Sequence, residues 1–259
     1  MDSSKNDAPA VLVSRDEGVL LIRLNRPDDS NAVNEALATG VSAAMDELDG
    51  DRSLRVGVIT GGAVGFCAGM DLKAFLRGEK PATERGFAGV TRRPASKPLI
   101  AAIEGFAVAG GLEIALSCDL IVAARGAKLG VPEVKRGLVA AAGGLMRMPR
   151  RIPYHVAMYL AITGNLITAE RAYEVGLINE LCEPGQALTA AMELARVIVR
   201  NAPLAVQASK QIVQQGLDLN EEAGWAMQDR LGLPPLYTED AQEGARAFAE
   251  KRPPVWKGR

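Results

Sequence analysis

Two carboxylates in this sequence sit inside motifs that bring backbone close to another molecule: Glu113 in Ala109-Gly110-Gly111-Leu112-Glu113 and Glu133 in Gly130-Val131-Pro132-Glu133. Glycine has no Cβ to hold a ligand away, so a glutamate one turn after Gly110 can face something carried on that backbone. Two carboxylates so placed can divide general acid and general base work between them. The backbone offers a second kind of chemistry. Gly110 opens a predicted helix over 110–117, so its N–H has no intrahelical partner and lies at the positive end of the helix dipole, where an oxyanion is stabilised. A second candidate donor lies in Gly65-Phe66-Cys67-Ala68-Gly69-Met70-Asp71-Leu72, again a bend of small residues. If the two turns converge, two N–H groups meet one carbonyl oxygen, each worth about 3 kcal/mol to a transition state with enolate character.

The elements that must position these groups alternate in type. Short β-rich apolar runs recur at Val19–Leu24, Val56–Thr60, Leu99–Ile103, Leu120–Ala124 and 177–181, each closed by glycine, proline or a polar turn. Residues 104–109 read as the turn that precedes Gly110. Between the first two runs, residues 34–48 place Leu37, Val41, Ala44, Met45 and Leu48 on one face of a helix. Strands alternating with helices predict an α/β fold. From about Thr168 the pattern turns helical, opened by Thr168-Ala169-Glu170-Arg171, continued over 187–201 and 204–215, and punctuated at Asn201-Ala202-Pro203. The chain accordingly divides into a polar, frayed tail at 1–10, an α/β core at 11–200 and a helical region at 201–259.

Composition narrows the field. With 48% hydrophobic and 24% charged residues over 259 positions, the chain has enough apolar matter for a sizeable core. Thirty Lys and Arg against 31 Asp and Glu leave a formal charge of −1 with no basic arm, which disfavours nucleic acid as a partner. The most apolar stretch, 97–125, is broken by Glu104, Glu113 and Asp119, so it reads as buried core and no membrane span is expected. Cys67, Cys118 and Cys182 are widely spaced, which suits reduced thiols in a cytoplasmic protein. His155 has no second ligand at a metal spacing, so no metal is expected and a packing or surface role is. Cys67 has no base beside it and reads as a small packing residue. Gly61-Gly62 and Gly143-Gly144 read as turn or packing devices.

The two glycine segments, 66–72 and 105–119, resemble the signature segments of the enoyl-CoA hydratase/isomerase (crotonase) superfamily. Asn25-Arg26-Pro27 with Asn31-Ala32, Lys97-Pro98-Leu99-Ile100-Ala101, Val131-Pro132-Glu133, Gly143-Gly144, Gly176-Leu177 and Ala247-Phe248-Ala249-Glu250-Lys251-Arg252 fall in the family's order. The resemblance covers almost the entire chain. It implies a spiral of repeated ββα units followed by a helical trimerisation region, assembled as a homotrimer or as a hexamer of paired trimers. It also implies that the N–H groups of Met70 and Gly110 hold a thioester oxygen, and that Glu113 and Glu133 flank a water, at the spacing of the family's hydratases.

The function so implied is reversible addition of water to a 2-enoyl-CoA, with Glu113 orienting and deprotonating the water and Glu133 delivering the α-proton. An enoyl-CoA isomerase that uses chiefly Glu133, and a catalytically silent acyl-CoA- or RNA-binding trimer, are the alternatives; retention of both glutamates weighs against silence. No strand-linked GxGxxG with a distal acid is present, so coenzyme A is expected as the substrate's handle and no separate cofactor is. By resemblance Ala32, Ala68, Asp71, Leu72 and Lys73 should lie near that coenzyme, with Phe248 and Lys251 reaching the coenzyme of a neighbouring subunit. The turn at 137–142 departs from the common Pro-Gly pattern of hydratases, Met70 replaces a smaller residue, and the charged loop at 76–96 reads as mobile and specificity-bearing.

Overall fold

Parallel strands require a crossover between them, and in this chain the crossovers carry the glycine turns. The computed structural model describes residues 8–259; residues 1–7 of the expected tail lie outside the described residues. Pro9 and Ala10 are tethered, since their carbonyls accept from the Asn25 side chain and amide, both at 2.9 Å. Strands β1 (Val11–Asp16) and β2 (Val19–Leu24) form an antiparallel hairpin. Helix α1 (Glu35–Gly50) is N-capped by Asn34, whose side chain accepts from the Leu37 N–H at 3.0 Å, and it buries Leu37, Val41, Ala44, Met45 and Leu48, the face predicted from spacing.

Strand β3 (Val56–Thr60) leads through the first glycine segment to α2 (Leu72–Leu76), and the loop beyond carries a small hairpin of β4 (Ala82–Thr83) and β5 (Gly86–Phe87). Next come β6 (Leu99–Ile103), β7 (Phe106–Val108), α3 (Gly110–Ala115), β8 (Leu120–Ala124) and β9 (Lys128–Gly130), which runs into a 3-10 turn at Pro132–Arg136. After α4 (Gly144–Arg147) and α5 (Tyr154–Thr163) come β10 (Ile167–Thr168), α6 (Ala169–Glu174) and β11 (Glu180–Cys182). Four helices close the chain: α7 (Ala187–Val199), α8 (Pro203–Gly216), α9 (Glu221–Gly232) and α10 (Glu239–Glu250).

The main sheet has the order β1-β2-β3-β6-β8-β11 and is parallel from β2 onward. Its inner strands β3, β6 and β8 are buried on both faces, as the inner strands of a parallel sheet are, whereas β1 at the edge is mostly exposed. One face meets α1 and the turns of the spiral; the other meets α7, whose Ala187, Ala191 and Ala195 pack with Val56, Val58, Ile100, Ala102 and Val122. A second sheet, β10-β9-β7, lies beside it. Three successive turns leave the main sheet, pair with one another and end in a helix: Cys67 bridges Ala107 in parallel, and Ala107 pairs Leu129. Met70, Gly110 and the Pro132-Glu133 step therefore occupy equivalent places in three stacked turns, which is the ββα spiral expected from the sequence.

Three readings are corrected in detail. Residues 106–108 are a strand, not part of a turn; the Glu104-Gly105 bend before them, with Gly105 at φ 57°, is the turn. The last strand begins at Glu180 instead of Leu177, because Gly176, at φ 81°, and the Leu177 N–H bonded to the Ala172 carbonyl still belong to the end of α6. The 76–96 loop is pinned: Arg85 is only 4% exposed and bonds Asp46 and Asp49 of α1 at 2.6 and 3.2 Å. The helical region is tied back to the sheet by Lys210 of α8, which donates to Asp119 at 2.7 Å and to the carbonyls of Ala95 and Lys97, both at 2.8 Å.

Candidate active site

The stacking of the three turns makes the two glycine segments converge. A Cβ on Gly69 would fall 2.9 Å from the Ala109 Cβ and 3.0 Å from the Gly110 nitrogen, and one on Gly111 would fall 2.0 Å from the Cys67 carbonyl oxygen. Only glycines permit this approach. Between them Ala109 is held at φ 53°, ψ −132°, a conformation that costs an L-residue on the order of 1–3 kcal/mol and recurs where function requires it. Its N–H is fixed by the Gly130 carbonyl at 2.9 Å. Among the described residues, the N–H groups of Met70 and Gly110 have no protein acceptor. Both residues line one cavity of about 1020 Å³. Two unpaired amides on such a cavity are what a developing oxyanion needs.

Glu113 and Glu133 line the same cavity. Glu113, only 3% exposed, projects from α3, and its Oε1 accepts from the amides of Ala142 and Gly144 at 2.8 and 2.9 Å. Burial raises its pKa, while those two amides and the charge of Arg147 oppose the rise without cancelling it. Glu133 stands on the 3-10 turn, and its Oε2 is buried without a partner among the described residues. Burial raises its pKa too, the charge of Glu113 adds to the effect, and its own amide and Arg136 oppose it. One carboxylate thus has donors that favour its charged form, and the other has a like charge beside it. Phe87, Leu138, Val139 and Leu166 give much of the remaining wall an apolar lining.

Comparison with known proteins decides the family. Residues 14–259 match the model of the family described as enoyl-CoA hydratase/isomerase. The chain belongs to this family. It is 40% identical over 261 residues to an enoyl-CoA hydratase of Mycobacterium tuberculosis, covering 97% of each sequence. It is also 40% identical over 255 residues to a carnitinyl-CoA dehydratase of Salmonella arizonae, covering 95% of this chain and 97% of the relative. A crystal structure of an enoyl-CoA hydratase from Mycobacterium tuberculosis H37Rv superposes with a TM-score of 0.96 at 54% identity, over 97% of this chain and 100% of that one.

The positions carried over from the enoyl-CoA hydratase/isomerase resemblance divide into two groups. Ala68 and Leu72 line the cavity with Met70 and Gly110, whereas Ala32, Asp71, Lys73, Phe248 and Lys251 are not among its lining residues. The Asp71 carboxylate is engaged locally: it N-caps α2 by accepting from the Ala74 N–H at 2.9 Å and pairs with Arg26 at 3.0 Å. Ala32 accepts from Arg26 through its carbonyl. Lys73 is exposed on α2. Phe248 is 88% exposed on α10, and Lys251 caps that helix in the left-handed conformation at φ 54°. His155 is exposed at the start of α5, its ring edge against Tyr154.

Residues to which the sequence reading gave no part in holding the site complete it. The turn at 142–144 supplies both amides to Glu113, and Gly144 gives the Glu113 side chain its room, since a Cβ there would fall 3.0 Å from the Glu113 Cγ. Phe87 packs where a Cβ on Gly110 would stand, at 2.6 Å. The only signal for the first was the Gly143-Gly144 pair; nothing local in the sequence marks the second.

Proposed function

We propose that this enoyl-CoA hydratase/isomerase family member is a hydro-lyase that adds water reversibly across the 2,3 double bond of a 2-enoyl-CoA thioester. The observation that carries the proposal is the meeting, on one cavity, of two unpaired amides and two unlike carboxyls. Amides of Met70 and Gly110 polarise the thioester carbonyl, so that the β-carbon becomes electrophilic and the enolate that follows is stabilised. Glu113, kept toward its charged form by two amides, takes a proton from water as it attacks the β-carbon. Glu133, disfavoured as an anion, delivers a proton to the α-carbon. Reversing the two transfers eliminates water, and the hydratase and dehydratase names of the relatives describe those two directions.

Coenzyme A enters as part of the substrate, with Ala68 and Leu72 at the cavity wall supporting the carry-over of its binding segment. A homotrimer or a hexamer is part of the same proposal. It is supported by the apolar surface a single chain leaves open on its last helices and the turns beside them, where Leu217, Leu236, Tyr237 and Phe248 are 64–88% exposed. In such an assembly Phe248 and Lys251 would meet a neighbour's coenzyme. Among the described residues no helix is long and apolar enough to cross a membrane; a cytoplasmic location is supported by three free cysteines, two of them buried. The test is loss of the enoyl-thioester absorbance with a panel of 2-enoyl-CoAs of different length. Hydration of any of them that disappears in Glu133→Gln supports the proposal; no turnover across the panel counts against it.

A further inference from the structure

Arg147 stands at the end of α4, outside the cavity wall, where sequence reasoning gave it no role. Its Nη2 donates to the Thr91 carbonyl at 2.6 Å and its Nη1 to the Ala142 carbonyl at 3.3 Å. The Ala142 peptide is part of the turn whose amides hold Glu113, so the guanidinium grips that turn from behind. Thr91 lies in the wall of the same cavity. Gly143 makes room for the arrangement: a Cβ there would fall 2.4 Å from the Arg147 Nη1, and its φ of 104° is one that L-residues avoid. Arg147 makes no ion pair with a carboxylate among the described residues. A half-buried guanidinium spent on two carbonyls is a costly device unless its geometry or its charge serves something.

We propose that Arg147 is a positioning residue: one guanidinium fixes the 142–144 turn to the Thr91 wall, and so keeps two backbone amides and one positive charge aimed at Glu113. The inference rests on Glu113 acting on water as set out above. The planar fork is essential to it, because two carbonyls on separate segments must be met in fixed directions; an ammonium supplies charge without that fork. The charged and titratable groups around the pair are few. Glu113, on α3, has Arg147 of α4 on one side and Glu133 of the 3-10 turn on the other, with Arg136 beside Glu133; Arg151 and the buried Cys118 are the other groups near Arg147. The Arg147 charge lowers the Glu113 pKa against its burial, so removing it lets that pKa climb.

The test compares Arg147→Met and Arg147→Lys with wild type in steady-state hydration across pH, with thermal unfolding as a control for folding. In Arg147→Met, kcat should fall about 10- to 100-fold, as misplacement of a catalytic group does, while KM changes little. The acidic limb of its pH profile should move toward higher pH. In Arg147→Lys the limb should return to the wild-type position while kcat recovers only in part. A second readout does not need turnover: titration of the Glu113 carboxyl, followed by difference infrared spectroscopy with Glu113→Gln as the blank, should move upward in Arg147→Met and not in Arg147→Lys. Absence of hydration in wild type would overturn the proposed function and leave this titration to decide on Arg147. A Glu113 titration that is the same in Arg147→Met as in wild type, or a loss confined to KM or to thermal stability, would overturn the inference.

Discussion

Glu113 and Glu133 line the same cavity, yet the scaffolds beneath them differ in kind. Glu113 is carried by a helix that opens on two close-packed glycines, is almost wholly buried, and has one oxygen saturated by two amides. Glu133 is carried by a single 3-10 turn that begins with proline, is only half-buried, and has a buried oxygen with no partner among the described residues. Acid/base pairs are set by environments that push two similar groups toward different tasks. Here the donors gathered around one carboxylate support its anion, and that anion disfavours ionisation of the other.

Neutralising each carboxylate in turn should have the largest effect. Glu133→Gln and Glu113→Gln should each lower kcat for hydration by about 10²–10⁴-fold, the usual worth of a positioned proton-transfer group, with acyl-CoA affinity unchanged by equilibrium titration. Wild-type turnover in either would remove that residue from the mechanism. Gly110→Ala is expected next in size. Its Cβ would meet the Phe87 ring at 2.6 Å and displace an oxyanion donor, for a loss of about 10²–10³-fold in kcat in a protein that still folds. Gly144→Ala should cost less, about 10-fold, because its Cβ meets the flexible Glu113 side chain at 3.0 Å and loosens the clamp without removing the carboxylate.

Stability gives the smallest and most discriminating effect. Both carboxyls titrate above the ordinary value of 4.5, so the native state binds these protons more tightly than the unfolded chain does. Stability attributable to them is therefore full below that value, falls as pH rises from it through the raised native values, and stays lower above. Glu133→Gln should consequently unfold at higher denaturant concentration at neutral pH, by about 1 kcal/mol, with the advantage absent in acid. The gain in Glu113→Gln should be smaller, since two amides and Arg147 already offset its charge. Urea titrations of the three proteins at acidic and neutral pH would show this order or its reverse. The same raised values place the acidic limb of kcat/KM above the ordinary carboxylate range, because Glu113 must be ionised to act as base.

Much of this was legible in the sequence because the signals were side-chain patterns. The one-faced spacing of Leu37, Val41, Met45 and Leu48 gave α1, the apolar runs gave four strands at their observed bounds, and the small-residue bends gave the two turns on which Met70 and Gly110 sit. What escaped was work done by backbone. Strand β7 is three residues long, too short for any periodicity, yet its pairing with β9 is what brings the Pro132-Glu133 step to the same level as Gly110. The amides of Ala142 and Gly144 that hold Glu113 are groups every residue but proline carries, so beyond the Gly143-Gly144 pair no side chain marked them. Asp71 illustrates the converse: an acid before a helix start is a cap by its position alone, and its carboxylate does cap α2. The 76–96 loop reads as mobile from its charges, but a buried Arg85 bound to two α1 aspartates anchors its middle.

The most direct test of water addition by this carboxylate pair is turnover of crotonyl-CoA in oxygen-18 water, followed by mass spectrometry of the product, for wild type and Glu133→Gln. One heavy oxygen is expected in the 3-hydroxyl of the wild-type product, and almost no product from the variant, although both bind the thioester. A wild-type product without label, or a variant that incorporates label at the wild-type rate, would contradict water addition by the pair.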